Sequence, residues 1–209
     1  MTGEIVVVDY GRGNIYSIAQ ALRHAGYEPK ISDAPGDIEK AGTIVVPGVG
    51  AFKDVMDSFR AKGMESALRE AHAKRSAIVG VCVGLQLFAE SSEEFGVHPG
   101  LGFLKGHVKR LPDGEARVPN IGWRRVEADV DALRRFDGRI FYFVHSYHFL
   151  VEGNGVGRAT FAFNGIRATA AVVAGHLCGT QFHPEKSGPD GPSFLAALIE
   201  LARAGAARA

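Results

Sequence analysis

The sequence predicts an α/β fold, a single three-layer domain with a central mixed, mostly parallel sheet. In the first half, short runs of β-branched residues alternate with amphipathic stretches. These runs are apolar on both faces, which is typical of parallel strands that lie between two layers of helices. The second half contains shorter strands separated by turns, which we interpret as mixed and antiparallel additions to the same sheet.

The elements of the first half follow from hydrophobic periodicity and from helix signals. They are predicted in this order: a strand at 4–10, a helix at 14–26, strands at 28–32 and 43–50, a helical stretch from about 51 to 73, and a strand at 77–82. Asn14 is the expected N-cap of the first helix, and Gly26 ends it. This alternation predicts a βαβ series, in which ligands bind at the carboxyl ends of the strands.

Beyond Val97 the pattern changes to short strand-like segments. They are predicted at 107–118, 122–128, 139–150, 157–163 and 166–182, and a helix follows at 190–205. Neither a linker nor a repeat divides the chain, so we expect one domain over residues 1–209.

Composition argues against several classes of protein. The 24 basic and 23 acidic residues are scattered and give a formal net charge of +1, which does not favour binding to nucleic acid or to a membrane surface. Apolar runs are much shorter than the roughly 20 residues that cross a bilayer. With two cysteines and no secretory signal pattern, the chain is expected to be cytoplasmic. No ligand spacing predicts a metal site, and "DYGRGN" lacks the spacing of a dinucleotide site, so no cofactor is expected.

Cys82 lies where a predicted buried strand becomes a helix, in the pattern G-x-C-x-G formed with Gly80 and Gly84. Glycines permit a sharp strand-to-helix turn, as in the nucleophile elbow of hydrolases. The start of a helix also favours a thiolate through its free N–H groups and its dipole. Cys82 is therefore a candidate nucleophile, and the alternative is a small buried core residue.

A cysteine nucleophile needs a base and a group that orients the base. In "GTQFHPEKSG", His183 and Glu185 are two residues apart and project to the same side of an extended segment. We interpret them as base and orienting carboxylate, although "HPE" by itself is also an ordinary surface sequence. Candidate oxyanion donors are the backbone N–H of Val83 and that of Val49 or Gly50 in "PGVG", unless "PGVG" is only a tight turn.

Together these motifs identify a family resemblance. "GVCVGLQ" (80–86) with "HPE" (183–185) resembles the class I (triad) glutamine amidotransferases, which have a flavodoxin-like fold and hydrolyse the side-chain amide of glutamine through a thioester. The resemblance implies that Cys82 is the nucleophile, His183 the base and Glu185 its orienting group. It also implies that Gln86 helps to hold glutamine.

Further motifs resemble one branch of that family, the glutaminase subunits of imidazole glycerol phosphate synthases. They are "PGVGAF" (47–52), "ESSEEFGVHPGLG" (90–102), "VPNIGW" (118–123), "FYFVHSYHF" (141–149) and "HPEKSG" (183–188). By this resemblance the residues that contact glutamine are Gly50, Glu94, Ser146, Tyr147 and His148. The residues that face the partner, a (β/α)8 cyclase subunit in a heterodimer, are Asn14, Ile121, Trp123, Tyr142 and Lys186.

One segment departs from the pattern of that branch. "PNIGWRR" stands where PHMGWN is expected, so Asn120, Ile121 and Arg124 replace His, Met and Asn. If this segment meets the partner, its docking surface is altered. Three alternatives therefore stay open: a glutaminase that feeds another synthase such as an amino-sugar synthase, a free-standing hydrolase of γ-glutamyl compounds, and a non-catalytic subunit that keeps the fold.

Overall fold

The computed structural model describes residues 4–208. The strands are β1 (Ile5–Val8), β2 (Pro29–Ser32), β3 (Thr43–Val46), β4 (Ala77–Val81), β5 (Ser91–Ser92), β6 (His98–Pro99), β7 (Gly106–Arg110), β8 (Asn120–Arg125), β9 (Glu127–Ala128), β10 (Ile140–His145), β11 (Tyr147–Val151), β12 (Gly157–Phe163), β13 (Ile166–Ala174) and β14 (Leu177–Thr180). The helices are α1 (Ile15–His24), α2 (Pro35–Lys40), α3 (Phe52–Ala61), α4 (Met64–Ala73), α5 (Val83–Gln86) and α6 (Asp190–Ala207).

The main sheet has eight strands in the order β2-β1-β3-β4-β14-β13-β12-β9. Its first five strands are parallel, and the last three are added antiparallel. Every residue of β1, β3 and β4 is buried, because helices cover the sheet on both faces. The predicted mixed, mostly parallel α/β fold is confirmed.

The helices form two groups. α1 packs against α6, which also contacts β4 and β14, while α4 packs against α2 and α3. Each helix turns an apolar stripe inward; in α3 the buried residues are Phe52, Val55, Met56 and Phe59. The sheet therefore forms the middle of three layers.

The parallel order brings the functional segments to one edge. β3, β4 and β14 are neighbours and run in the same direction, so the residues after their carboxyl ends lie side by side. Those residues are "PGVG" after β3, Cys82 after β4 and the segment from Gln181 to Glu185 after β14.

Several second-half strands do not join the main sheet, contrary to our prediction. β8 and β10 form a separate antiparallel pair, and β11, β7, β5 and β6 form a four-stranded sheet. The chain passes from the β8–β10 pair to the four-stranded sheet at Ser146, between β10 and β11. There the Ser146 carbonyl accepts a hydrogen bond from the Leu111 amide at 2.8 Å. This change of sheet turns the predicted single strand 139–150 into two.

The predicted helical stretch from 51 to 73 is also divided. Gly63 adopts φ 70°, a left-handed conformation that separates α3 from α4. The short helix α2, which begins at Pro35, had no counterpart in the prediction.

A histidine pair, formed by His72 in the last turn of α4 and His176 directly before β14, predicts a pH-dependent stability. His176 Nε2 lies 2.9 Å from His72 Nδ1, and burial, together with the nearby His72 and Arg75, lowers the pKa of His176 to about 4. In the unfolded chain His176 takes up a proton near the ordinary histidine pKa, whereas in the folded chain it does so only at much lower pH. The stability that the neutral His176 contributes is therefore present above about pH 6.5 and is lost as the pH falls toward 4.

We expect the wild-type protein to lose roughly 1 kcal/mol more of unfolding free energy than His176→Gln between pH 7 and pH 5. Urea unfolding of both proteins at the two pH values measures this difference. Equal losses for the two proteins would show that the histidine pair does not carry the effect. Taking the difference between the losses of unfolding free energy of the two proteins removes the contributions of the histidines that both contain.

Candidate active site

Cys82 occupies a strained turn between β4 and α5. Its backbone has φ 55° and ψ −112°, a conformation that is rare for a residue with a side chain, and its residue surface is 3% exposed. Neighbouring glycines make the turn possible: a Cβ on Gly84 would lie 1.9 Å from the Val46 carbonyl oxygen, and one on Gly80 would lie 2.6 Å from the Gly84 backbone. The sharp strand-to-helix turn predicted from the pattern G-x-C-x-G is therefore present at Cys82.

His183 lies beside Cys82 at the end of β14. Its Nδ1 donates to Glu185 Oε1 at 2.9 Å, which leaves Nε2 for the sulfur of Cys82 in the cavity that both residues line. Burial lowers the pKa of His183, but the interactions of its imidazole with Cys82 and with the Glu185 carboxylate outweigh burial and raise this pKa well above its ordinary value. The three side chains therefore form a continuous line of sulfur, imidazole and carboxylate.

The local conformation of this segment differs from our prediction. Pro184–Lys186 forms a 3-10 turn, so Glu185 reaches His183 across a turn rather than from the same side of an extended strand. Glu185 Oε2 is buried and has no hydrogen-bond partner among residues 4–208. The carboxylate is thus held in place mainly by His183.

Sequence reasoning missed a second contact of the sulfur. Gln181 Nε2 points to Cys82 Sγ at 3.7 Å, while Gln181 Oε1 accepts a hydrogen bond from Gln86 Nε2 at 3.0 Å. Gln86 Nε2 also donates to the Tyr147 carbonyl at 2.8 Å. Gln181 is two residues before His183, and this spacing was the signal that could have revealed it.

The predicted oxyanion donors are not equivalent. The Val49 amide lies against the Tyr10 hydroxyl, which itself donates to the Pro47 carbonyl at 2.9 Å. Val83 is the first residue of α5, and neither its amide nor that of Gly50 has an acceptor within residues 4–208. Val83 and Gly50 are thus the candidate donors with free N–H groups.

A cavity of about 490 Å³ opens onto Cys82 and His183. Its lining contains the predicted glutamine contacts Gly50, Gln86, Glu94, Ser146 and Tyr147. His148 does not line the cavity; its side chain is buried, and His145 lines the cavity instead. The strand break at Ser146 brings His145 to the cavity and turns His148 away from it.

Glu94 has one oxygen engaged and one available. Its Oε2 accepts from the Phe52 amide at 2.6 Å and thereby caps the start of α3. Burial raises the pKa of Glu94, and the Phe52 amide acts in the opposite direction. No group within residues 4–208 donates to Glu94 Oε1, so this atom is free to receive a ligand.

The residues predicted to face a partner lie around the cavity and on the β8–β10 pair. Asn14 and Lys186 line the cavity. Trp123 and Tyr142 are directly opposite each other, with ring centroids 5.8 Å apart. Ile121 is 58% exposed and Trp123 54% exposed, so β8 presents a row of large apolar side chains.

The other two departures in "PNIGWRR" face inward. Side chains alternate along β8, so that Asn120 is fully buried and Arg124 points back to it, with Nε 2.8 Å from Asn120 Oδ1. Of the three replaced residues, Ile121 is exposed, Arg124 is half-buried and Asn120 is buried, so the exposed surface changes most at Ile121.

No group of three or more His, Cys, Asp and Glu side chains in residues 4–208 is arranged to hold a metal ion. In the same residues, no helix has the length and apolar character needed to cross a membrane.

Comparisons with known proteins agree with this geometry. The family profile "Glutamine amidotransferase class-I" matches residues 6–201. The imidazole glycerol phosphate synthase subunit HisH of Moorella thermoacetica is 41% identical over 202 residues, with 95% of each chain covered. The protein of the same name from Herpetosiphon aurantiacus is 40% identical over 202 residues, covering 95% of this chain and 94% of that one. A solved structure described as a glutamine amidotransferase superimposes with a TM-score of 0.75 at 24% identity, covering 94% of this chain and 98% of the other.

Proposed function

Since this chain belongs to the class-I glutamine amidotransferase family, we propose that it is the glutaminase subunit of an imidazole glycerol phosphate synthase. It hydrolyses glutamine to glutamate and passes the ammonia to a cyclase subunit in histidine biosynthesis. One observation carries the proposal: Cys82, His183 and Glu185 are aligned at a cavity in a chain that is 41% identical to such a subunit over 95% of its length.

The proposed first half-reaction forms a thioester. His183 accepts the Cys82 proton, and the sulfur attacks the side-chain amide carbon of glutamine. The negative charge that develops on the amide oxygen is stabilised by the free N–H groups of Val83 and Gly50. The protonated His183 then donates its proton to the leaving nitrogen, so that ammonia departs and the glutamyl group stays on Cys82.

The second half-reaction reverses these roles. His183 removes a proton from water, the resulting hydroxide attacks the thioester carbon, and Cys82 leaves as a thiolate. Glu185 accepts the Nδ1–H bond throughout, which keeps Nε2 directed at the reacting atoms and stabilises the imidazolium. The products are glutamate and the regenerated pair of Cys82 and His183.

The cavity offers polar groups for the two ends of glutamine. The free Glu94 Oε1 is suited to the α-ammonium group, and Gln86, held by Tyr147 and Gln181, lies near the reacting amide. Ser146 and Tyr147 supply further polar groups on the opposite wall. These contacts orient the amide carbon toward Cys82.

The ammonia requires an acceptor protein. The strands and helices of the described chain build the glutaminase site, and the exposed Ile121 and Trp123 lie on a strand next to the cavity, where a (β/α)8 cyclase subunit would dock with Asn14, Tyr142 and Lys186. In that heterodimer the cyclase uses ammonia to form imidazole glycerol phosphate and aminoimidazole carboxamide ribotide. We propose a cytoplasmic location for the protein, which is consistent with a role in amino-acid biosynthesis.

Glutamate release with and without a cyclase subunit from the same cell tests the assignment. We expect slow release by the chain alone and a rise of about 100-fold or more when the cyclase and its nucleotide acceptor are present, because partner contact completes the site. A high rate of glutamate release without any partner would instead favour a free-standing γ-glutamyl hydrolase, and stimulation only by another synthase would change the pathway.

Trp123→Ala should weaken the complex by about 2 kcal/mol, as for a buried aromatic anchor.

A further inference from the structure

A continuous series of buried hydrogen bonds begins on β8. Arg124 Nε donates to Asn120 Oδ1 at 2.8 Å. Asn120 Nδ2 lies 3.1 Å from His145 Nε2, and His145 Nδ1 lies 2.9 Å from the Tyr147 carbonyl oxygen. The series therefore links a strand with exposed apolar residues to the wall of the cavity.

The same series continues to the nucleophile. The Tyr147 carbonyl also accepts from Gln86 Nε2, whose second hydrogen bond goes to Gln181 Oε1. Gln181 Nε2 then points to Cys82 Sγ at 3.7 Å. Each group is buried or half-buried, and buried polar groups of this kind are normally hydrogen-bonded within the protein.

Chemistry fixes the direction of every bond in the series. A carbonyl oxygen only accepts, so His145 Nδ1 must carry the hydrogen that faces Tyr147. Burial lowers the pKa of His145 to about 3, so the ring is neutral and Nε2 has a lone pair. Asn120 must then present its NH₂ group to Nε2, which turns its oxygen toward Arg124.

Arg124 is the one permanently charged donor in the series. An arginine has no acceptor atom, so it can receive only the oxygen of the Asn120 amide and not its NH₂ group. Its guanidinium is itself held in place, with its central carbon 5.5 Å from the centre of the Phe163 ring. Without this donor the Tyr147 carbonyl alone would hold the Nδ1–H tautomer, and an Asn120 amide that turned over would present its oxygen to Nε2 and favour the opposite tautomer of His145.

We propose that Arg124 is a positioning residue for the Cys82 nucleophile, because it fixes the Asn120 amide and thereby the tautomer of His145. The Nδ1–H tautomer holds the Tyr147 carbonyl, which orients the Gln86 amide, and Gln86 in turn directs the NH₂ group of Gln181 toward the sulfur. The proposal rests on the proposed function and extends it. It also joins β8, the strand with Ile121 and Trp123, to the reacting atom.

Nitrogen NMR of the ¹⁵N-histidine-labelled full chain tests the tautomer directly. In the wild type we expect His145 to be in the Nδ1–H form and not to titrate between pH 5 and pH 8. Arg124→Met, which keeps the contact with Phe163, should shift His145 toward the Nε2–H form. Arg125→Met, on the same strand but outside the series, should leave the signals unchanged. A His145 ring that keeps the Nδ1–H form in Arg124→Met overturns the proposal.

Asn120→Asp is a second variant of nearly the same size, useful if Arg124→Met does not fold. Its carboxylate still accepts from Arg124 but cannot donate to His145, so His145 should again lose the Nδ1–H form. The rate of Cys82 alkylation by iodoacetamide gives a separate readout without glutamine. We expect it to fall about tenfold in both variants and to recover in part in Arg124→Lys, because one hydrogen bond to the sulfur is weakened.

These readouts separate this proposal from the proposed function. Unchanged alkylation in both variants, with an altered tautomer, would overturn the link to the sulfur. An inactive wild type with the expected tautomer changes would count against the glutaminase assignment but leave the role of Arg124 intact.

Discussion

Cys82→Ala is expected to abolish glutamine hydrolysis, with a fall of about 10⁴-fold or more in the rate of glutamate release. The variant removes the only atom that can form the thioester, while the remaining groups of the cavity can still bind glutamine. Alanine fits the space of the buried thiol, so the fold should be preserved. The measurement is glutamate release in the presence of the cyclase subunit, with circular dichroism to confirm folding.

Cys178→Ala is the matched control. Cys178 is fully buried in β14, and burial raises the pKa of its thiol to about 12, so it stays protonated and cannot act as a nucleophile. Its replacement should leave the rate within about twofold of the wild type, although the lost sulfur lowers stability slightly. If Cys82→Ala released glutamate at the wild-type rate, the assigned nucleophile would be wrong.

Gly84→Ala is expected to have the second largest effect, because it acts on the elbow itself. A Cβ at this position would lie 1.9 Å from the Val46 carbonyl oxygen, which belongs to a buried strand and cannot move aside. The backbone of α5 must therefore shift, and with it Cys82 and the Val83 amide. We expect a loss of about 3 kcal/mol or more of unfolding free energy and of most glutaminase activity.

Gly36→Ala is the control for this substitution. Gly36 lies in α2, has no positive φ, and a Cβ there meets no atom within 4 Å. Alanine should be neutral or should stabilise the helix by about 0.5 kcal/mol. Urea unfolding measures both variants, and a Gly84→Ala protein as stable and as active as Gly36→Ala would contradict the close approach between α5 and β3.

The sequence predicted the parallel part of the fold and the principal residues that meet at the candidate active site. The reason is local: β1, β3 and β4 are apolar on both faces, and the glycines around Cys82 mark a turn that few other residues allow. The spacing of His183 and Glu185 indicated a base and its orienting carboxylate, the family resemblance implied the same roles, and the structure places both residues beside Cys82. These roles stay proposals until the variants are measured.

Other features depended on contacts between distant segments. The separation of β8 and β10 from the main sheet and the break at Ser146 follow from packing, which no short motif records. The inward direction of Asn120 and Arg124 could be known only from the register of β8. The two-residue spacing to His183 indicates the side on which Gln181 lies, but its contact with Cys82 depends also on the adjacency of β4 and β14. Because the break at Ser146 depends on packing, His148 was predicted to line the cavity, whereas the structure has His145 there.

The claim on which this account depends is that the Cys82 sulfur reacts because the His183 imidazole lies beside it. Its most direct test is peptide mass mapping after treatment with an electrophilic glutamine analogue, in the wild type and in His183→Ala. We expect one adduct, on the peptide that contains Cys82, formed at least about tenfold more slowly in His183→Ala. An adduct on Cys178, or an equal rate of labelling in both proteins, would contradict the claim.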